Sequence, residues 1–417
     1  MSLLMVSCDR STMYAPRTRP QPSQRGLLID SPFDAGALEG RMETLLEADD
    51  LPDLPTDSGP LATLIDARLN ALARTLPEGA PVVVMVHGFL FNPYAVPTLD
   101  PADSDNAHAR MYHYQDRGEA TEVRHHTSGW PLWLGFEEAD RTGRSGLAIG
   151  LAWHSSPGLA QSLFDGFKNH YYRAYTYATE TAWPLACLLM RLAQHPRLAG
   201  REIDIFAHSL GTRTVLRAIA LCAKHEINTR LSTAKRAMVG QAWRRLGRVI
   251  LLGGAEYIFE AQLVYSRLRT LGFDASVEGF GPQFYNVGCR ENDVLDKFGE
   301  WFGPRGPGNH EVIGHNGLGS GERASRWLDL QIDSAALRTW FGGIDGRGRD
   351  GLPLGLDISG DQPWNVWDHW YYYTHRGNME LYRRIVRDRD NFSIKALREK
   401  AVGGEYIPDG IGRVGED

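Results

Sequence analysis

Residues 203–213 read Ile-Asp-Ile-Phe-Ala-His-Ser-Leu-Gly-Thr-Arg, and this stretch governs the interpretation of the whole chain. A β-branched and aromatic run, typical of a buried strand, leads into Ser209, and a helix-forming sequence follows at 212–224. A serine between small residues at a strand-to-helix junction is typical of a nucleophile elbow, a sharp turn that projects the hydroxyl above the sheet. Ala207 and Gly211 supply the small residues, because the strand and helix backbones cross closely there. The stretch therefore predicts a nucleophilic serine.

A second interpretation of Ser209 is purely structural. Serine is among the preferred N-cap residues of helices, where its hydroxyl accepts a hydrogen bond from a backbone N–H of the first turn. Alanine at position 207 also departs from the glycine of the usual G-x-S-x-G pattern, although it removes bulk in a similar way. The short stretch is compatible with both interpretations, so the rest of the chain has to separate them.

Strand and helix patterns alternate from about residue 61 to residue 302. Residues 82–86 form a continuous β-branched run, which is typical of a strand buried on both faces of a parallel sheet. Further strands, separated mostly by helical patterns, are predicted at 146–153, 203–206, 248–253, 283–289 and 327–333. This alternation predicts an α/β fold with a mostly parallel central sheet and helices on both faces.

The chain is predicted to hold one large domain, at residues 61–400 of 417. Residues 1–60 are interpreted as a leader that wraps the core, because most of them are rich in Pro, Asp, Ser and Arg and have little periodicity. Within the leader, the apolar run at 2–8 is predicted to be a strand. Residues 401–417 are interpreted as a tail.

Two long stretches inside the domain, 94–145 and 334–363, are predicted to be insertions. They are polar or glycine-rich and too long for simple connections between a strand and a helix. The first insertion carries an apolar segment, Trp130–Phe136, for which two roles are equally open. It is either a lid or pocket wall, or a buried anchor for the insertion.

Composition excludes several classes of function. The net charge is −6 and no basic stripe occurs, so a nucleic-acid partner is not expected. The four cysteines are far apart and form no C-x-x-C pair, so neither a disulfide framework nor a zinc site is expected. The N-terminal apolar run is too short for a secretory segment, and no stretch is long enough to span a bilayer. We therefore expect a soluble, cytoplasmic protein with a small-molecule substrate, whose oligomeric state the sequence leaves open.

The carboxyl ends of parallel strands meet at one edge of a sheet, and ligands bind beyond that edge. Three candidates for chemistry follow predicted strands: Ser209, the pair His87-Gly88, and Asp293. A serine hydroxyl is a poor nucleophile until a neighbouring base, normally a histidine oriented by a carboxylate, removes its proton. In sheets of this type the chain order is serine, acid, histidine.

Asp293 fits the acid best, because it lies shortly after Cys289, the end of a predicted strand. A structural role for Asp293 is the alternative, as the cap of a predicted helix at 294–302. Glu256, which follows the predicted strand 248–253, is the reserve candidate for the acid.

Four histidines downstream of the acid are candidates for the base: His310, His315, His369 and His375. His369 is preferred, because it follows the last predicted strand and begins a helical segment. His310 and His315 precede that strand, and the alternative for His375 is a capping or pairing role on the same helix. The structural alternative for His369 is a place in a packed aromatic cluster.

Two backbone N–H groups are predicted to form an oxyanion hole, those of Leu210 and Phe89. Gly88 lets the backbone approach the substrate closely. His87 is predicted to buttress this loop rather than to act as a base. His208, beside the candidate nucleophile, is predicted to point into the fold.

With these parts assembled, the chain resembles alpha/beta-hydrolases, and in particular a group of bacterial alpha/beta-hydrolases of unknown function. The segments that carry the resemblance span roughly residues 80–385 and are 82–89, 152–158, 207–213, 292–293 and 368–371. The resemblance implies the alpha/beta-hydrolase fold, with Ser209, Asp293 and His369 as the catalytic triad and no metal or organic cofactor.

The expected activity is that of a serine hydrolase, carboxylesterase-like or lipase-like, that cleaves an acyl ester. Thioesters and amides are alternative substrates, and acyl transfer to an alcohol is an alternative reaction. A different class of function is also open: a catalytically inactive interaction module on the same fold, suggested by the surface that the leader and the insertions add.

Overall fold

The structure is a computed structural model. It describes residues 3–9, 12–14, 66–67, 69–93, 106–118, 128–137, 145–156, 159–273, 281–289, 295, 311–318, 324–333 and 368–402. In this part of the chain one sheet contains the strands β1 (Leu3–Asp9), β2 (Thr12–Tyr14), β3 (Val82–Val86), β4 (Leu147–Trp153), β5 (Ile203–His208), β6 (Leu246–Leu252), β7 (Gln283–Gly288) and β8 (Trp327–Gln331).

The same residues include the α-helices α1 (Ala107–Arg110), α2 (Trp130–Trp133), α3 (Leu159–Gln194), α4 (Leu210–Ile227), α5 (Thr233–Arg244), α6 (Ile258–Thr270), α7 (Ile313–Asn316), α8 (Asp368–Thr374), α9 (Arg376–Arg387) and α10 (Ile394–Val402). Residues 66–67 and 69–72 are also helical. Short 3₁₀ helices occur at Ala73–Thr75 and Pro196–Leu198.

The strands follow the order β2-β1-β4-β3-β5-β6-β7-β8. Every neighbouring pair is parallel except β1 and β2, so the carboxyl ends of seven strands meet at one edge. The prediction of an α/β fold with a mostly parallel sheet is confirmed. The chain moves from β3 to one side, into β4, and then returns to the other side of β3, into β5. This reversal is a topological switch point, where the edge of an open α/β sheet forms a crevice for ligands.

Helices cover both faces of the sheet, as predicted. In β3, Val82, Val84 and Val86 join the core that contains residues of α3, α4, α5 and α6. Val83 and Met85 point to the opposite core, with residues of α1, α2, α8, α9 and α10. All five side chains are fully buried, and this burial on two faces is the reason for the unbroken apolar run.

The predicted N-terminal strand is confirmed, but it does not wrap the domain as part of a leader. β1 lies inside the sheet, between β2 and β4, with Leu3 opposite Ala148 and Cys8 opposite Trp153. A domain boundary at residue 60 therefore cuts off a strand of the central sheet. Except for β2, the rest of the proposed leader lies outside the described residues.

The apolar segment of the first insertion is a buried anchor and not a lid. Trp130 is fully buried, and its ring packs 5.0 Å from the ring centre of Phe206 on β5 and 5.2 Å from that of Tyr373 on α8. Leu134 and Phe136 are fully buried in the same core. The described parts of this insertion thus belong to the helical layer on one face of the sheet, together with α8, α9 and α10. The second insertion lies outside the described residues.

Candidate active site

Ser209 connects β5 to α4 in a strained backbone conformation. Its φ is 55° and its ψ is −126°, a region that residues with a side chain rarely adopt. Four hydrogen bonds hold it. Its N–H donates to Leu252 O at 2.9 Å. Its carbonyl accepts from the N–H and the hydroxyl of Thr212, at 3.0 Å and 2.6 Å, and from the N–H of Ala255 at 3.2 Å. The strain is thus held in place by the ends of β6 and α4.

Ser209 occupies the N-cap position of α4 without capping it. Its side chain accepts no hydrogen bond from the first turn. By contrast, Ser232 and Asn106 have extended backbones and accept bonds from the N–H groups of Lys235 and His108, as capping residues do. The capping interpretation of Ser209 is therefore wrong.

Two glycines allow the strand ends to meet at this point. A Cβ atom on Gly88 would lie 2.6 Å from Ser209 Cβ, and one on Gly211 would lie 2.4 Å from the carbonyl oxygen of His87. Both distances are shorter than non-bonded carbon and oxygen atoms tolerate. The end of β3 therefore lies directly against the candidate nucleophile, at the switch point of the sheet.

A second strained residue follows β3. Leu90 has a φ of 76°, and in the described part of the chain Ser209 and Leu90 are the non-glycine residues with positive φ. Such conformations persist only where the surroundings enforce them, and they cluster at functional sites. Both residues stand at the carboxyl edge, after neighbouring strands.

His87 supports the segment 87–91, which we call the β3 loop. Its Nδ1 is 2.9 Å from Gly88 O, and its Nε2 accepts a hydrogen bond from the N–H of Trp153 at 2.9 Å. Burial lowers the pKa of His87 to about 3, so the ring is neutral. With both ring nitrogens engaged, His87 holds the loop and has no nitrogen left to act as a base.

His369 lies beside the residue that precedes the candidate nucleophile. His208 Nε2 donates to the carbonyl oxygen of His369 at 2.9 Å, and the two ring centres are 4.6 Å apart. Both residues are buried. Burial, together with the neighbouring His208, lowers the pKa of His369 well below its usual value of 6.5. The start of α8 is thereby attached to the end of β5, next to Ser209.

His315 lies at the same edge of the sheet. It is partly buried on α7, which is fixed by a 2.9 Å bond from the N–H of Gly314 to Gly254 O, adjacent to the Ala255 that contacts Ser209. His375 precedes α9, at the far end of α8 from His369. The preference for His369 over His315 stays a prediction, and His310 lies outside the described residues.

Asp293 also lies outside the described residues, so its role as the acid stays a prediction. The nearest described residues on either side are Cys289, which donates its N–H to Gly314 O at 2.9 Å, and Leu295, which lies against the same glycine.

Glu256, the reserve candidate for the acid, forms ion pairs with two buried arginines. Its Oε1 accepts from Arg213 Nη1 at 2.7 Å and from the N–H of Tyr257 at 3.1 Å, and its Oε2 is 3.3 Å from Arg217 Nε. The three charged side chains are buried. A carboxylate held by two guanidinium groups is part of a structural ion-pair network and orients no histidine of the described chain. The local sequence gave no sign of this network, because its partners are distant in the chain.

Two features are absent from the described residues. No group of three or more His, Cys, Asp or Glu side chains in this part of the chain is arranged to hold a metal ion. None of its helices is long and apolar enough to cross a membrane.

Comparisons of the chain with protein-family models, with curated proteins and with solved structures find no match. The site itself consists of a strained serine at the carboxyl edge of a parallel sheet, a second strained residue, Leu90, after the neighbouring strand, and a neutral histidine attached to the end of β5.

Proposed function

We propose that this protein is a serine hydrolase of the alpha/beta-hydrolase fold that cleaves a carboxylic ester through an acyl-enzyme on Ser209. The observation that carries the proposal is the strained backbone of Ser209 at the switch point of the sheet. A serine on a sharp strand-to-helix turn, with the loop after β3 beside it, is the arrangement that alpha/beta-hydrolases use for acyl transfer. Strained conformations of this kind cluster at active sites, where the surrounding structure enforces them.

In the proposed reaction, Ser209 Oγ attacks the carbonyl carbon of the ester while His369 takes the hydroxyl proton. The C–O bond to the leaving group then breaks, and His369 returns the proton to the departing alcohol. A water molecule, deprotonated by the same histidine, then attacks the acyl carbon. The bond from that carbon to Ser209 Oγ breaks, the histidine returns the proton to Oγ, and the acid leaves. Asp293 is proposed to orient the imidazole.

The oxyanion of each tetrahedral intermediate is proposed to bind the N–H groups of Leu210 and Phe89. Leu210 is the first residue of α4, so its N–H has no acceptor within the helix and lies at the positive end of the helix dipole. Phe89 belongs to the β3 loop, which lies against Ser209 through Gly88. Donors fixed before the reaction stabilise developing charge without having to reorganise.

Covalent labelling tests the nucleophile. A fluorophosphonate should modify the folded wild-type protein at Ser209, because phosphonylation uses the same attack and the same oxyanion donors as ester cleavage. Peptide mass spectrometry locates the label, and Ser209→Ala and the unfolded wild-type protein serve as controls. A folded protein that remains unlabelled, or carries the label on another residue, would contradict the proposal and favour the interaction module.

Single substitutions test the base. His369→Gln should lower kcat by about 10³-fold or more, whereas His315→Gln should leave kcat within a few-fold. The opposite ranking of the two variants would assign the base to His315.

The pH dependence of the wild-type reaction gives a second test of the base. The base must be neutral to accept a proton, and the low pKa of His369 keeps it neutral at mild acidity. The acid limb of kcat/KM should therefore lie below about pH 6.5.

A further inference from the structure

The β3 loop has to be held in its strained conformation by contacts outside itself. Leu90 adopts a positive φ, and the residue is 45% exposed, so burial of its side chain does little to hold the backbone. A leucine in this region is less stable than a glycine, and without external contacts the segment would relax. The structure therefore has to supply fixed points on both sides of Leu90.

The fixed point before Leu90 is the contact between His87 and Trp153. Trp153 donates its backbone N–H to His87 Nε2 at 2.9 Å and its indole Nε1–H to the carbonyl oxygen of His87 at 2.8 Å. The two rings stack in parallel, with their centres 5.4 Å apart. Both residues are fully buried, so the first residue of the loop is immobilised against β4.

The fixed point after Leu90 is Ser155, a buried residue two positions beyond β4. Its hydroxyl accepts a hydrogen bond from the N–H of Phe91 at 2.9 Å and is 3.2 Å from the carbonyl oxygen of Phe91, within reach as a donor. The same carbonyl accepts from the backbone N–H groups of Ser155 at 2.8 Å and Ser156 at 3.0 Å. One side chain thus engages both backbone groups of Phe91.

We propose that Ser155 is a positioning residue for the hydrolysis: through Phe91 it holds the β3 loop, and with it the N–H of Phe89, in the geometry that receives the oxyanion. This inference rests on the proposed function. Ser155 acts through the loop and does not touch the reacting atoms. Since only three residues separate His87 from Phe91, fixing both ends restricts Gly88, Phe89 and Leu90 together.

Removal of the Ser155 hydroxyl leaves the N–H of Phe91 without its acceptor in a buried setting. An unpaired buried donor is costly, and the loop can reduce that cost by moving toward water and releasing the strain at Leu90. An N–H displaced from the oxyanion position stabilises the transition state less, whereas binding of the uncharged substrate changes little. We therefore expect the change in kcat rather than in KM.

The test compares Ser155→Ala with Ser156→Ala. The second variant removes a neighbouring hydroxyl and keeps the backbone bond to Phe91. Ser155→Ala should lower kcat for a p-nitrophenyl ester, and the rate of fluorophosphonate labelling, by about 10- to 100-fold with KM nearly unchanged. Ser156→Ala should stay within about twofold of wild type. A Ser155→Ala variant that folds and keeps kcat within twofold would overturn the proposal.

A double-mutant cycle with Leu90→Gly separates positioning from general stability. Glycine adopts the positive φ without strain, so in the Leu90→Gly background the further loss on Ser155→Ala should shrink to a few-fold. If Ser155→Ala alone fails to fold, the test is the comparison of Leu90→Gly with the double variant that also carries Ser155→Ala. A loss of tenfold or more between them would count against a strain-based role.

Hydrogen exchange keeps this inference distinct from the proposed function. Amide exchange in a peptide that covers the β3 loop should be faster in Ser155→Ala than in wild type, and unchanged in Ser156→Ala. Equal exchange in all three proteins would overturn the positioning role of Ser155 even if the enzyme is active. A wild-type protein that is not labelled by the fluorophosphonate and does not hydrolyse esters would instead overturn the proposed function, and with it the catalytic purpose of this positioning.

Discussion

Replacement of Ser209 by alanine should reduce kcat for ester hydrolysis by about 10⁴- to 10⁶-fold. The substitution removes the oxygen that forms the acyl-enzyme, while the oxyanion donors and the substrate contacts remain. The remaining rate should be that of direct hydrolysis by water, assisted by these donors and by substrate binding. Steady-state kinetics with a series of p-nitrophenyl esters measures the effect, and retention of wild-type turnover would rule out Ser209 as the nucleophile.

The strain at Ser209 predicts an unusual order of stabilities among its variants. Glycine adopts the observed φ and ψ freely, whereas alanine carries the same steric penalty as serine. Ser209→Gly should therefore exceed Ser209→Ala in free energy of unfolding by about 1 kcal/mol, the lower end of the cost of such conformations. Urea unfolding measures the difference. A glycine variant less stable than the alanine variant would show that the backbone is not strained.

Replacement of Glu256 by alanine should lower the free energy of unfolding by about 3–5 kcal/mol. Glu256 neutralises Arg213 and contacts Arg217, and the Arg213 guanidinium also lies 3.5 Å from the ring centre of Tyr175. Without the carboxylate, Arg213 would remain charged in a buried site, where a charge without its counter-ion is costly. Chemical unfolding at neutral pH measures the loss.

A surface glutamate provides the matched control for this prediction. Glu380 pairs with Arg383 and Arg384 on α9, where all three side chains are partly exposed to solvent. Because exposed pairs contribute little, Glu380→Ala should cost about 1 kcal/mol or less. Equal losses in the two variants would contradict the assignment of Glu256 to a buried network.

Glu256→Gln adds a test of chemistry. It keeps the shape of the side chain and should retain kcat in the folded protein. If Glu256 oriented the base instead, the amide should lower kcat by about 10⁴-fold without comparable loss of stability. The variant therefore separates a structural carboxylate from a catalytic one.

The sheet was predictable because its strands are buried on both faces. A strand such as β3 has to be apolar at every position, and this leaves a continuous β-branched run in the sequence. The place of β1 in the sheet was not predictable. Its pairing with β4 joins residues more than a hundred positions apart, and no local pattern encodes such a partner.

The site was predictable in part. The small residues Ala207 and Gly211 predicted a close crossing of the strand and helix backbones at Ser209. The structure instead places Gly211 against the end of β3, at the carbonyl oxygen of His87, and Gly88 against Ser209. The choice among the histidines could not be made locally, because His315 and His369 reach the same edge from different segments. The segment after β4 contributed to the resemblance, but nothing in it indicated that Ser155 would hold the β3 loop.

The sequence by itself determined the α/β class, most of the strands and the serine at the turn, because each depends on neighbouring residues and their burial. Only the tertiary structure decided that Ser209 is strained and does not cap α4, that Glu256 is bound by two arginines, and that Trp130 is an anchor. These outcomes depend on contacts between residues far apart in the chain, which form only when the whole domain is packed.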